Sequence, residues 1–385
     1  MYAPRNPFDW EETRKRRAEG KTSATMGNPD IRRGSKTAQS GMSSGAGQSR
    51  PRSLRYPRKQ EDPRAKVPEG KLLDSVFLLK LRPPTENSIQ SPKITGCEHV
   101  ASYNWVDGQV ASILVPGAPP AWTPLESPEQ LKEDDGEYFR DINAARWPRR
   151  PMEPAIRALL EMQPDFATED INIVTCATTI GNLDKFANHI YWNFDFEIQL
   201  VGSTLFMIRK EHPSKEIFRG IYGHGHTFPE AYTSWDPSVK GSLSHQRLVK
   251  YAFGGLKFIV RFESDGYLLD VADENEEPAM TKQAKKGDNG EDIDSLAQAM
   301  NTVDISTAPK PNGALEVKNA GFAIPHNAIF DLKTRSEKSV VNMNETIRRL
   351  WARQIPYFIL AYHKRGLFEN IRIEHVKEQI EEWEK

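Results

Sequence analysis

The sequence predicts an α+β fold: a single large domain in which mixed central β-sheets are flanked by helices. Two observations carry that expectation. Short runs rich in branched and aromatic residues recur at strand length and are bounded by Gly, Pro, Asn and Asp. Helical spacing appears in only a few places, without the regular strand-helix alternation that builds a parallel sheet. With 385 residues and 38% hydrophobic content, the chain can bury a large core.

Residues 1–68 are rich in Arg, Lys, Ser, Gly and Pro and poor in branched apolar residues, with Arg14-Lys15-Arg16-Arg17 as the densest basic cluster. That composition reads as a disordered basic tail, a nuclear address or an RNA-grazing arm ahead of a domain at 69–385. The folded part is expected to open with a strand at Val76-Phe77-Leu78-Leu79, followed by a second at Val100–Val106 that ends in the turn Asp107-Gly108. A proline-rich excursion from Pro116 to Pro128 reads as surface chain with its aromatics tucked inward, and Trp122 and Trp147 as packing anchors. A helix is expected at Pro154–Met162, started by its prolines, then a strand at Ile171–Cys176 and a turn over Thr178-Thr179-Ile180-Gly181-Asn182-Leu183.

Phe194–Leu200 and Ser203–Arg209 read as a hairpin around Val201-Gly202, and Ile217–Tyr222 as a strand leading into a glycine-rich turn, Gly223-His224-Gly225-His226. That turn is expected to carry Glu230 out of a strand end. Its two histidines lack a third nearby soft ligand, which weakens a zinc reading. Ser244–Tyr251 reads as a short helix with Leu248 inward and Arg247 and Lys250 facing solvent or a phosphate. Lys257–Phe262 is a buried strand, residues 271–312 a disordered acidic insertion, and Ala314–Val317 another strand. A helix over Glu337–Gln354, stopped by Pro356, strands at Tyr357–Tyr362 and Ile371–Val376 and a charged last helix complete the chain.

The formal charge of −1 at pH 7 gives no global pull toward nucleic acid or membrane, so any nucleic-acid surface must be local. Two cysteines, Cys97 and Cys176, are too few for a disulfide framework and point to a reducing compartment. Neither a membrane-length apolar run nor a signal-peptide centre is present, so the expectation is an intracellular protein of the nucleus, the cytoplasm or both. No Walker phosphate loop and no Gly-x-Ser-x-Gly elbow occurs, which argues against NTPase and serine-hydrolase chemistry. Asp134-Asp135-Gly136-Glu137 is the nearest approach to a prenyl-synthase acid motif and has no partner.

The remaining chemistry lies in Glu263-Ser264-Asp265 and in Glu316-Val317-Lys318. At a spacing of two on a strand, Glu263 and Asp265 share a face, as do Glu316 and Lys318. Burying that many charges is costly unless they pair or hold a cation, and oxygen-ligated Mg²⁺ or Mn²⁺ is the economical occupant. Removing the insertion brings the two pairs onto neighbouring strands, and Glu230 is expected to join Asp265 and Glu316. Acids followed by Glu-x-Lys form the pattern of PD-(D/E)XK-type nucleases, in which the lysine orients the attacking water or stabilises developing charge. The bland alternative is a cross-strand salt bridge.

The order Gly225-x-x-Phe228-Pro229-Glu230, Glu263-x-Asp265, Glu316-x-Lys318 and Trp351-x-x-Gln354, over residues 170–376, resembles the DXO-type RNA 5′-end decapping nucleases. The resemblance implies metal ligation by Glu230, Asp265, Glu316 and the Val317 carbonyl, with Glu263 acting through a water. It implies that Lys318 and Gln354 position the nucleophile, that one or two Mg²⁺ or Mn²⁺ ions serve as cofactor, and that RNA 5′ ends are the substrate, with a 5′-3′ exoribonuclease as partner. Two positions depart from the pattern: Pro229 separates Phe228 from Glu230, and Ile180 stands where the family carries an RNA-reaching arginine. Substrate contacts are assigned by sequence proximity to His226, Arg247 and Lys250, with Tyr232 beside them. A second reading keeps the nuclease fold but makes it a catalytically impaired RNA- or protein-binding scaffold.

Overall fold

The computed structural model describes residues 70–78, 93–135, 138–190, 194–209, 217–218, 223–273 and 314–385. The expected tail at 1–68 and all but the first three residues of the expected insertion at 271–312 lie outside these. The described residues fall in one compact unit, Glu61–Lys385.

Strands β1 (Thr95–Val106), β2 (Ser112–Gly117), β3 (Ala121–Trp122) and β4 (Tyr138–Phe139) come first, then helices α1 (Ile142–Arg146) and α2 (Glu153–Met162). They are followed by β5 (Ile173–Cys176), α3 (Ala177–Ala187), β6 (Glu197–Val201), β7 (Thr204–Ile208), β8 (Ile217–Phe218), α4 (Thr227–Tyr232) and β9 (Thr233–Ser234). The long pair β10 (Ser242–Phe253) and β11 (Leu256–Ser264) leads to β12 (Gly266–Tyr267) and α5 (Leu269–Asp273). The last stretch holds β13 (Glu316–Gly321), β14 (Ile329–Ser336), α6 (Met343–Arg353), β15 (Tyr357–Lys364), β16 (Leu367–His375) and α7 (Lys377–Glu384).

Eight strands form one mixed sheet in the order β13-β2-β1-β10-β11-β5-β7-β6, and six form a second, β16-β15-β14-β12-β3-β9, with β4 and β8 paired apart. The α+β class with mixed sheets is therefore what the chain adopts. On one face of the larger sheet, Tyr103, Trp105, Leu248 and Ile259 pack with Ala155, Ala158 and Leu159 of α2, whose two alanines let the helix approach closely. On the other side lies α6, with Tyr251 donating its hydroxyl to the Ala352 carbonyl and Trp351 edge-on to Phe253 at 5.5 Å.

The two sheets share one continuous piece of chain. β11 runs in the larger sheet, Asp265 turns the corner, and β12 pairs with β14 and β3 in the smaller one. Gly266 makes this corner passable, because a Cβ there would lie 2.3 Å from Phe330 Cζ and 2.7 Å from the Pro120 carbonyl.

Several expectations are corrected. Residues 71–77 form no strand, and Val76 and Phe77 are exposed. The proline-rich stretch is not all surface: Gly117–Pro120 are buried, although Trp122 does tuck in against Phe228, Tyr232 and Phe330. Thr178–Leu183 lies inside α3 rather than in a turn. Ser244–Tyr251 is the middle of β10, not a helix, because pairing to β1 and β11 on both sides outweighs its weak helical spacing. Glu230 sits on α4, not beyond a strand end. The start of the expected insertion, 271–273, is the end of α5.

Candidate active site

The antiparallel register of β12 on β14 pairs Gly266 with Phe330 and Tyr267 with Ile329, and one step back along the same register brings Asp265 beside Asp331. The Asp265 carboxyl accepts from the Leu332 amide at 2.7 Å and is hydrogen-bonded to the Asp331 carboxylate. Burial pushes the Asp265 acid well above the ordinary carboxylate range, and the Asp331 charge and the hydrogen bond to it add to the rise. Asp331 goes the other way. Burial alone would raise it, but Arg349 and Arg353, helped by the Asp265 hydrogen bond, hold it below its ordinary value. The two carboxyls are thus pushed apart, Asp265 toward its protonated form and Asp331 toward its charged one.

Both arginines come from the last turns of α6. Arg349 Nε stands 2.9 Å and Arg353 Nη1 3.4 Å from the same Asp331 oxygen, Oδ2. Arg353 also lies over the Phe262 ring at 6.0 Å. Glu263, one residue further, is open to solvent but set in a recess crowded by protein, so desolvation raises its carboxyl while a 3.2 Å hydrogen bond from Gln246 Nε2 opposes the rise. Lys333 follows Asp331 on the same face of β14, and burial, then Arg349 and Arg335, lower its ammonium. Beside it, between α3 and α6, opens a cavity of about 160 Å³ lined by Lys185, Lys333, Arg348, Arg349, Arg353 and Glu345, among others. Phosphate groups are the ligands such a lining attracts.

The structure brings together Glu263 and Asp265 but not the other residues expected with them. Glu316, Val317 and Lys318 lie on β13, at the far edge of the larger sheet, with β2, β1 and β10 between them and β11. There Glu316 Oε2 accepts from Ser112 Oγ at 3.0 Å and approaches Lys318 Nζ at 3.4 Å, a side-by-side ion pair on one strand. Glu230 is exposed on α4, whose Phe228 and Tyr232 anchor it against Phe368 and Trp122. Gln354 caps α6 in the left-handed conformation, φ 53°, and turns its amide back onto the Trp351 carbonyl at 2.8 Å. His226 stacks on Tyr138 and meets the Asp134 carboxylate at 3.2 Å. Arg247 is fully buried, donates to the Ile324 carbonyl at 2.9 Å, and is drawn down to about 9 by burial, so it faces neither solvent nor substrate. Lys250 pairs with Glu98 and lies over Phe166.

Asp331, Lys333, Arg349 and Arg353 were missed, yet the first two had a signal. Asp331-Leu332-Lys333 repeats the acid-x-Lys spacing of Glu316–Lys318 and directly follows the apolar pair Ile329-Phe330. Among the described residues, no three His, Cys, Asp or Glu side chains gather closely enough to hold a metal ion by themselves. The pair Asp265–Asp331 nonetheless fits a hard cation that keeps most of its water, since hydrogen-bonded carboxyls from the β11–β12 corner and from β14 offer it adjacent oxygens.

The family model described as a domain of unknown function, DUF8563, matches residues 80–385. The chain belongs to that family. No curated protein matches it. Among solved structures, this DUF8563 chain is similar to Schizosaccharomyces pombe Rai1 in complex with 3′-FADP at 12% identity and a TM-score of 0.45, covering 80% of this chain and 81% of that one. It is similar to Scheffersomyces stipitis Rai1 in complex with (3′-NADP)⁺ and calcium ion at 12% identity and a TM-score of 0.46, with 82% and 77% covered. It is also similar to Candida albicans Rai1 in complex with pU5-Mn²⁺ at 10% identity and a TM-score of 0.43, with 76% and 74% covered. No described helix is long and apolar enough to cross a membrane.

Proposed function

We propose that this protein is a divalent-cation-dependent hydrolase of RNA 5′ ends, cleaving phosphoanhydride or phosphodiester bonds. One observation carries the reading: a hydrogen-bonded carboxyl pair, Asp265–Asp331, stands beside Lys333 and a cavity walled by arginines and lysines. Paired acids next to fixed cations suit attack of water on a phosphorus centre, because the acids hold a metal while the cations take up charge on phosphate oxygens. The RNA 5′ end as substrate is supported by the sequence resemblance to the DXO-type enzymes.

Asp265 and Asp331 would hold Mg²⁺ or Mn²⁺, which when bound supplies an acidified water and neutralises phosphate charge. Glu263 has a raised carboxyl and an open tip, which suits it to take the proton from the attacking water. Lys333, with its lowered ammonium, and Arg349 orient the phosphate oxygens, and a hydroxyl or phosphate leaves with the proton that Glu263 has collected. Lys333 replaces Lys318 in this role, and Asp331 replaces Glu316.

A second reading, an RNA 5′-phosphate-binding scaffold without turnover, is favoured by the two guanidiniums that hold Asp331. Product release from 5′-triphosphate, capped and nicotinamide-capped RNA in Mg²⁺ or Mn²⁺ separates the two. The hydrolase reading expects metal-dependent product from wild type and none from Asp265→Asn or Asp331→Asn. RNA binding with no product from wild type under any metal selects the scaffold.

A further inference from the structure

We infer that Arg349 and Arg353 form an exchange contact, so that an oxyanion entering the α3–α6 cavity draws them off Asp331 and opens that carboxylate to a divalent cation. The inference rests on the reading of Asp331 as a cation ligand. Both arginines line the cavity, and both also point to the single oxygen Asp331 Oδ2, which lies at the buried end of the site.

One carboxylate oxygen cannot serve two guanidiniums fully, and the structure records the shortfall. Arg349 Nε approaches Asp331 without hydrogen-bond alignment. Arg349 Nε and Nη2 and Arg353 Nε are buried atoms with no hydrogen-bond partner among the described residues. Buried guanidinium donors without an acceptor, on side chains that also line a cavity, gain by turning toward an acceptor with several oxygens. The cavity is also lined by Lys333, by Lys185 and by Glu345, which pairs with Lys185 at 3.6 Å; its cations outnumber that one carboxylate and it holds no aromatic ring on which a base could stack, so the ligand it takes is a phosphate- or sulfate-like oxyanion.

The same two side chains thus have two mutually exclusive sets of acceptors. With the oxyanion absent, they hold Asp331 and compete with any cation. With it present, they turn to the cavity, and Asp331 and Asp265 are free to share a cation. Binding of the two ligands is then positively linked, and the linkage is reciprocal.

Calorimetric titration of the full chain with Mn²⁺ tests this, in sodium sulfate and in sodium chloride of equal ionic strength. The expected result is a Mn²⁺ affinity about tenfold higher in sulfate, and a sulfate affinity raised by the same factor in Mn²⁺. In Arg349→Gln/Arg353→Gln the dependence on sulfate is lost and Mn²⁺ binds more tightly than to wild type in chloride. Arg349→Lys/Arg353→Lys, which keeps both charges but lacks the forked donors, shows whether loss of the fold rather than of the exchange is responsible, since a folded lysine variant without the coupling supports the inference. Mn²⁺ binding to wild type that is indifferent to sulfate, or coupling that persists in the glutamine variant, overturns it. Failure of Mn²⁺ to bind wild type and variants alike removes the cation reading of Asp331 as well.

Discussion

The opposite shifts of the Asp265 and Asp331 carboxyls make stability depend on pH in opposite directions at two neighbouring positions. Asp265, raised by folding, contributes stability that is fully present below the ordinary aspartate value and is lost as pH climbs through its higher folded value. Asp331, lowered by folding, contributes stability that is present above the ordinary value and is lost as pH falls through its folded one. Asp265→Asn keeps the acceptor for Leu332 and a donor toward Asp331 while removing the titration. The buried His99, His245 and His326, all lowered by desolvation, make stability rise with pH over the mildly acidic range in both proteins, so the test is the difference: the unfolding free energy of Asp265→Asn in urea is expected to gain on that of wild type as pH rises. Parallel profiles in the two proteins count against the raised Asp265 carboxyl. Asp331→Ala is more severe, since it strands Arg349 and Arg353 and is expected to cost about 3–5 kcal/mol in the same assay.

At the scale of elements, two strands carry the acid-x-Lys spacing, and only β14 is registered against β12. Glu316→Gln/Lys318→Met on β13 is therefore expected to leave Mn²⁺ binding unchanged by calorimetry, whereas Asp331→Asn on β14 weakens it by about tenfold or more. Reversal of that order would return the site to β13. The cap of α6 gives a second element-level test. Gln354 holds a left-handed backbone and, among the described residues, bonds only within its helix end and to His326, so Gln354→Gly is expected to keep the thermal midpoint and Gln354→Val to cost about 1–2 kcal/mol.

The strands β1, β11, β15 and β16, the hairpin at Gly202 and helices α2, α6 and α7 were legible in the sequence because each has one dominant period. β10 was not, because its Ser, His, Gln and Arg positions are central-strand residues whose polar groups bond across the sheet, as Asn104 and His245 do at 2.6 Å. In the site, Glu263 and Asp265 were legible as a pair on a buried strand. Their partner was not, because which acid-x-Lys strand lies alongside depends on sheet order, and sheet order is set by contacts between residues far apart in sequence. The arginines of α6 carried no local signal, since helix-surface arginines are common and only tertiary packing aims these two at Asp331.

For the molecule as a whole, the corner at Asp265 fixes how the two sheets meet. Gly266→Ala drives a methyl into Phe330 and the Pro120 carbonyl, and it is expected to cost about 1–3 kcal/mol and to loosen Mn²⁺ binding together, since Phe330 and Asp331 move as one piece of β14. A variant that loses stability while keeping full metal affinity would separate the corner from the site.

The Leu332 amide gives that corner a built-in clock. Its proton is held by a side chain, the Asp265 carboxyl, at the corner where β11 of one sheet runs on into β12 of the other. Exchange of this single proton with deuterium therefore times the opening of the carboxyl pair, and does so without substrate, turnover or label. A cation that recruits Asp265 should hasten that clock, while the amides deeper in β11 keep their pace.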